Sequence, residues 1–256
     1  MERVGVRLPG LVFSALAYTL VLELMLVPAV FYWPDFEENV EALRLVAPIP
    51  ALRDMIDEIE RGGAFAYVVG QQFFKAGNTI GTIAAVLFAV GAVAGEAYRG
   101  TLEIWLARPR SRTRLLTERY LAGAAAMALP IFLTSATVPW LGERIDEYFE
   151  LRPLLLCAAH QCCLLLLIYS VTFLFSCLGS NPIKITLAAL FVTAFEFALY
   201  FVKVATHWSF YRLTDMRDFL EIELTGRLDW SLCGPLLASC AVLFGASLLA
   251  FRRRVP

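Results

Sequence analysis

Apolar residues run in six long blocks along this chain, at 8–33, 67–95, 120–141, 154–178, 185–205 and 230–251, with charged residues gathered between them. A helix of about 20 apolar residues crosses the hydrocarbon core of a bilayer, so each block predicts one transmembrane helix. Phe31, Tyr32 and Trp33 close the first block, as aromatic residues do at a membrane–water interface. Residues 34–63 are charged, yet Leu43, Val46, Leu52, Met55, Ile56 and Ile59 recur at helical spacing, interrupted by Pro48 and Pro50. That pattern predicts two short amphipathic helices on the membrane surface, and a further one falls at 216–224.

The second block has a polar first third, with Gln71, Gln72, Lys75 and Asn78. Pro130 and Pro139 predict a bend or break in the third. The turn Gly179-Ser180-Asn181-Pro182 predicts a tight connection between the fourth and fifth. The chain shows no internal repeat, low-complexity linker or soluble domain. The expected fold is all-α: one transmembrane domain over 1–256 with six spans.

Composition agrees with a membrane protein. Hydrophobic residues make up 59% and charged residues 18%, against roughly half and a quarter in soluble domains, which excludes an ordinary soluble enzyme. A net charge of −1 leaves no basic surplus for nucleic acid. The six cysteines all sit inside apolar blocks, as packing residues rather than a disulfide framework. No cleavable signal peptide is expected, because the first block is a full span without a small-residue cleavage site.

Orientation follows the basic residues. The N-terminus, the 96–119 loop, the turn before 185 and the C-terminal tail hold 12 basic and 4 acidic residues. The three opposite segments hold 8 basic and 17 acidic. Both termini are therefore expected in the cytoplasm, with the acidic segments outside, and six spans satisfy that parity.

The 96–119 loop carries the one informative motif, Glu96-Ala-Tyr-Arg-Gly-Thr-Leu-Glu-Ile-Trp-Leu-Ala-Arg-Pro-Arg-Ser-Arg112. Gly100 permits a turn out of the second span, and Thr101 can cap a short helix. Leu102, Trp105 and Leu106 occupy i, i+3 and i+4, one apolar face. Pro109 stops that helix, and Ser111 can cap the next. Apolar anchors ringed by Arg99, Arg108 and Arg112 form a docking knob, with Trp105 expected to stand exposed until a partner covers it. An arginine-rich loop lying on anionic headgroups is the competing reading.

This stretch resembles the coupling loop of ABC-2-type transporter permeases. Glu96, Gly100, Thr101, Leu102, Leu106, Pro109, Ser111 and Arg112 match that signature in register. Arg119 stands where the family often has Lys, and Tyr98 where a second acidic residue is common. The motif-level similarity covers about 91–119; beyond it, the six-span topology is what agrees. The resemblance implies a transporter subunit, of the exporter kind, in a bacterial-type inner membrane. It also implies a second copy or close homologue as partner, and a separate ATP-binding cassette subunit on each, bearing the ATP and Mg. The helix near Thr101–Leu106 would sit in a cleft of that subunit. No phosphate-binding G-x-x-x-x-G-K-[ST] motif occurs in this chain, so no bound cofactor and no ATPase activity of its own are expected.

Ionisable and polar residues within spans are costly and point to function. Glu23, Gln71, Asn78, Glu196 and Lys203 form the candidate translocation path. Glu196 and Lys203, seven residues apart in the fifth block, would share a helical face about 10 Å apart. Charge satisfaction between packed helices, or snorkelling of Lys203 and Lys75, is the alternative. Cys157, His160 and Cys163 line one stripe of the fourth span, with Cys162 beside them, but one helix does not converge three ligands on a point, so no metal site is expected. A lipid-modifying membrane enzyme and a non-transporting scaffold are the rival functional classes.

Overall fold

The computed structural model describes residues 8–107 and 111–253, and Arg3, Arg7, Arg108, Pro109, Arg110 and Arg254 lie outside them. Among the described residues every regular element is helical. Six helices are long and apolar enough to cross a membrane. The first is α1 (Leu8–Phe31), followed by the short α2 (Trp33–Glu38) and α3 (Val40–Val46). α4 (Pro50–Val69) starts with Pro50 in its first turn, where the missing N–H costs nothing. The 34–63 stretch thus forms three helical pieces before Gly63 rather than two. Gly63 (φ 60°, ψ −150°) then kinks the path into the bundle, a backbone state that needs glycine.

The second span holds the largest departure from expectation. α4 passes directly into a π-helix, Gly70–Gly81, and then into α5 (Thr82–Ala92). This wide-turned segment coincides with the polar third, and two glycines let it pack closely. A Cβ at Gly77 would stand 2.9 Å from Gln161, and one at Gly81 would stand 2.9 Å from Leu165, four residues apart on α9 (Leu151–Leu178). Small residues four apart are how helices approach closely in a membrane.

After α5 come α6 (Ala94–Tyr98), α7 (Thr101–Leu106) and the long α8 (Arg112–Gly142). Ser111 caps α8 by accepting the Arg114 N–H at 3.3 Å. Of the bend or break expected at Pro130 and Pro139, no break occurs; α8 is one continuous helix. α10 (Pro182–Tyr200) is capped by Asn181 accepting the Lys184 N–H. It ends at Tyr200, short of residue 205, so Lys203 is not on that helix and does not share a helical face with Glu196. α11 (Met216–Thr225) has a capping box of Asp215 and Asp218 and is closed by Gly226 at φ 61°. α12 (Trp230–Arg252) completes the bundle.

The α4–π–α5 span, α8 and α9 form the packed interior, while α1, α10 and α12 expose much of their surface. Phe13, Leu16, Leu20 and Leu24 make an exposed apolar stripe on α1, as do Leu187, Phe191 and Phe195 on α10. Apolar faces of that size suit lipid or another protein, not water. Contacts group the loops at two ends. Trp33 Nε1 donates to Glu147 at 3.0 Å, Lys203 lies 3.6 Å from Asp54, and Arg217 pairs with Glu58 at 2.5 Å. At the other end, Arg112 donates to the Arg252 carbonyl and Arg252 to Thr113.

Candidate functional site

The helical ladder breaks at Val93 (φ −130°, ψ −59°), between α5 and α6. A break inside a bundle frees backbone groups that must find partners. Here they do. The Ala94 N–H donates to Ser176 Oγ of α9 at 2.8 Å, and the Ala92 carbonyl accepts from Arg119 of α8. Past the break, α6 runs to Tyr98, and Gly100, at φ 69°, starts α7. That left-handed backbone strains any residue with a Cβ.

Glu96, 5% exposed, is the hub of the turn. It accepts from Arg99 Nη2 at 2.7 Å and from Thr101 Oγ1. Burial alone would raise its pKa. The hydrogen bonds of Thr101 and Arg99, with the charges of Arg119 and Arg99, outweigh burial and hold it below the ordinary carboxylate value. Thr101 therefore ties back to Glu96 and occupies the first helical position; the backbone of Gly100, not the Thr101 side chain, stands at the cap.

Trp105 is only 8% exposed, because the Arg119 guanidinium lies 3.7 Å over its ring and Leu102 beside it is buried. The expected exposed Trp105 anchor is corrected: this indole is covered by its own chain. What α7 presents outward is Glu103 and Ile104, the latter 59% exposed, with Tyr98 and half-exposed Arg99 alongside. Leu106 is partly buried. Of the other motif residues, Ser111 and Arg112 fasten the start of α8, while Arg108 and Pro109 lie outside the described residues. The sequence reading missed Ser176 altogether and valued Arg119 only as a family position. A lone serine in an apolar helix gives no signal of the break it serves.

The candidate path residues do not meet in one place. Glu23 accepts from Thr137 at 3.0 Å, between α1 and α8. Gln71 accepts from Lys75 on the π-helix itself. Glu196 faces the Phe210 N–H at 3.3 Å, and Lys203 pairs with Asp54 near the acidic end. Asn78 alone is deep, 2% exposed, with its Oδ1 accepting from Gln161 at 2.8 Å and Thr214 at 3.1 Å. Gln72, also buried, donates to Thr134 and Ser135 of α8. Asn78 Nδ2, Gln161 Oε1 and Gln72 Oε1 have no partner among the described residues, which in an apolar bundle calls for water or a polar ligand. Both nitrogens of His160 are taken, Nε2 facing the Leu213 carbonyl at 3.0 Å and Nδ1 facing Cys233 Sγ at 3.6 Å. Among the described residues, no three His, Cys, Asp or Glu side chains gather so as to hold a metal.

No curated protein and no solved structure matches the chain. The family model described as ABC-2 family transporter protein matches residues 36–254, a region holding the broken second span, α6, α7 and the buried polar seam. The chain belongs to the ABC-2 family of transporters, as a multi-pass membrane component.

Proposed function

We propose that this chain is the membrane-spanning subunit of an ATP-driven exporter, with hydrolysis carried by a separate ATP-binding subunit that docks on α6 and α7. The observation that carries this reading is the mounting of α7. A six-residue helix has little stability of its own. This one is clamped to the bundle by Glu96, Arg119 and Trp105, so a force on its outer face reaches α5 and α8 instead of melting it. Glu103, Ile104, Tyr98 and Arg99 form the face a partner would cover.

On this reading the 96–119 end faces the cytoplasm, across the inner membrane from the acidic segments. Two such chains, or this one and a close homologue, pair through apolar faces such as that of α10, and each takes one ATP-binding subunit. The polar seam of Gln72, Asn78 and Gln161 is the better candidate for substrate passage than Glu196 or Lys203, because its amides have unmet hydrogen-bonding capacity at depth. The test is copurification of the ATP-binding subunit together with transport per ATP hydrolysed, for wild type and Ile104→Arg. A docking face buries Ile104, so the charged variant should lose both. Unchanged copurification and unchanged coupling would exclude α7 as the docking element.

A further inference from the structure

Beside the clamp, between α1, α5 and the first turns of α8, lies a crevice of about 350 Å³. Leu11, Phe88 and Ala122 give it apolar walls, and Glu96, Arg99 and Arg119 line its charged end. Gly91 lines it as well, and a Cβ there would project into open space. Two guanidiniums face one carboxylate, so the charged end carries one net positive charge. Arg119 is 6% exposed; one Nη donates to Ala92 and its face lies on Trp105, yet its Nε–H has no partner among the described residues. The buried Arg119 guanidinium and half-exposed Arg99 together present positive charge at the end of an apolar crevice.

We propose that this crevice binds an anionic phospholipid, its phosphate on Arg119 and Arg99 and an acyl chain along the wall between α1 and α5. Arginine suits phosphate because its planar fork offers parallel charge-assisted donors. The apolar wall favours a lipid over a free anion, for Leu87, which lines it, is 53% exposed on α5, a span that a bilayer would surround. Basic pockets between spans on the cytoplasmic side take anionic headgroups in this way. The choice of leaflet rests on the orientation given under Proposed function; the binding itself does not. A lipid seated there touches the arginine that covers Trp105, so its presence stiffens the mounting of α7.

The test is native mass spectrometry of the purified full chain in detergent, titrated with phosphatidylglycerol, phosphatidylcholine or inorganic phosphate. Phosphatidylglycerol should be retained roughly tenfold better than phosphatidylcholine, because both carry the phosphate but the choline cation is repelled by the net positive end of the crevice. Arg119→Gln should abolish that preference. Ala122→Phe should do so too, by filling the crevice while leaving every charge in place, and it decides the matter if Arg119→Gln folds poorly. Equal retention of the two lipids, or a preference that survives Ala122→Phe, would overturn the proposal. Displacement by inorganic phosphate at equal concentration would overturn the lipid assignment and leave a free-anion site. Thiol labelling of Ser111→Cys from outside the cell would overturn the orientation and the leaflet while lipid retention stayed unchanged, so the two failures are distinguishable.

Discussion

Trp105 and Ile104 are neighbours on a six-residue helix, yet truncating each should fail by a different route. Trp105→Ala removes an indole that is 8% exposed and stacked under Arg119 at 3.7 Å. Emptying a buried aromatic site costs about 3–5 kcal/mol, and losing the cation–π contact is about 1 kcal/mol of that. The low end applies, because α7 sits at the rim of the bundle and can partly collapse. Arg119 then loses its cover, and α7 loses the contact that holds it to α8. Ile104→Ala removes a side chain 59% exposed, and surface truncations change stability by no more than about 0.5 kcal/mol. If Ile104 is buried on docking, its loss should cost about 1–2 kcal/mol of binding, roughly 5- to 30-fold in Kd. Thermal unfolding in detergent and titration with the purified ATP-binding subunit separate the two effects. Trp105→Ala should lower both Tm and affinity; Ile104→Ala should lower affinity alone. An Ile104→Ala chain with wild-type affinity would refute the docking face, and a Trp105→Ala chain with wild-type Tm would refute the clamp.

Gly100→Val should cost about 1–2 kcal/mol through the left-handed backbone at φ 69° and uncouple hydrolysis from transport, whereas Arg114→Ala, an exposed i,i+4 partner of Glu118, should leave both near wild type. Glu96 has a folded pKa below its ordinary value, so its stabilisation is present above about pH 4.5 and is lost as pH falls through the folded value. Unfolding scans of wild type against Glu96→Gln should therefore converge in acid, and a gap constant with pH would contradict the clamp. Asp218 moves the other way. Burial first, then the charges of Asp215, Glu221 and Asp229, push its pKa up to about 6 against the Asp215 N–H that lowers it. Its contribution is full below pH 3.8 and lost as pH rises through 6, so the protection of α11 amides relative to their intrinsic exchange should fall across that window, and Asp218→Asn should flatten the change. Single cysteines placed at Ser111 and Arg253 should label from the cytoplasmic side and those at Glu38, Glu147 and Asp218 from outside; Ser111 and Glu38 labelling together would sink the orientation.

Much of the architecture was legible in the chain because bilayer-crossing helices are written as length and hydropathy, which act locally. The cap at Ser111 was legible for the same reason: a short polar side chain before a helical run serves its own helix. Pro130 and Pro139 do not interrupt the helix: a proline removes one backbone bond, but in a long packed helix its neighbours hold the geometry, so α8 runs on. Lys203 misled. The apolar residues 201–205 extend the hydropathy of the fifth block, but Thr206 bonds back to the carbonyls of Tyr200 and Val202 and terminates the helix early.

The harder failures share one cause: the pattern along a helix says which side is apolar, not what covers it. Leu102, Trp105 and Leu106 do form one face, but that face turns inward because Arg119, fourteen residues on, reaches over the indole. No periodicity within α7 contains that arginine. The π-helix is a second case. Gly70–Gly81 reads as a polar start to an ordinary span, and the wider winding becomes intelligible only once its partners are placed. Gln72 reaches Thr134 and Ser135 on α8, while Asn78, six residues further on, reaches Gln161 on α9 and Thr214 beyond α10. Gly77 and Gly81 must at the same time lie against Gln161 and Leu165. Meeting those partners fixes the orientation of several side chains at once, and a change of winding is one way a backbone accommodates such a set. The site is therefore encoded in pairs of distant residues, Glu96 with Arg119, Ala94 with Ser176 and Asn78 with Gln161, whose pairing no local pattern announces.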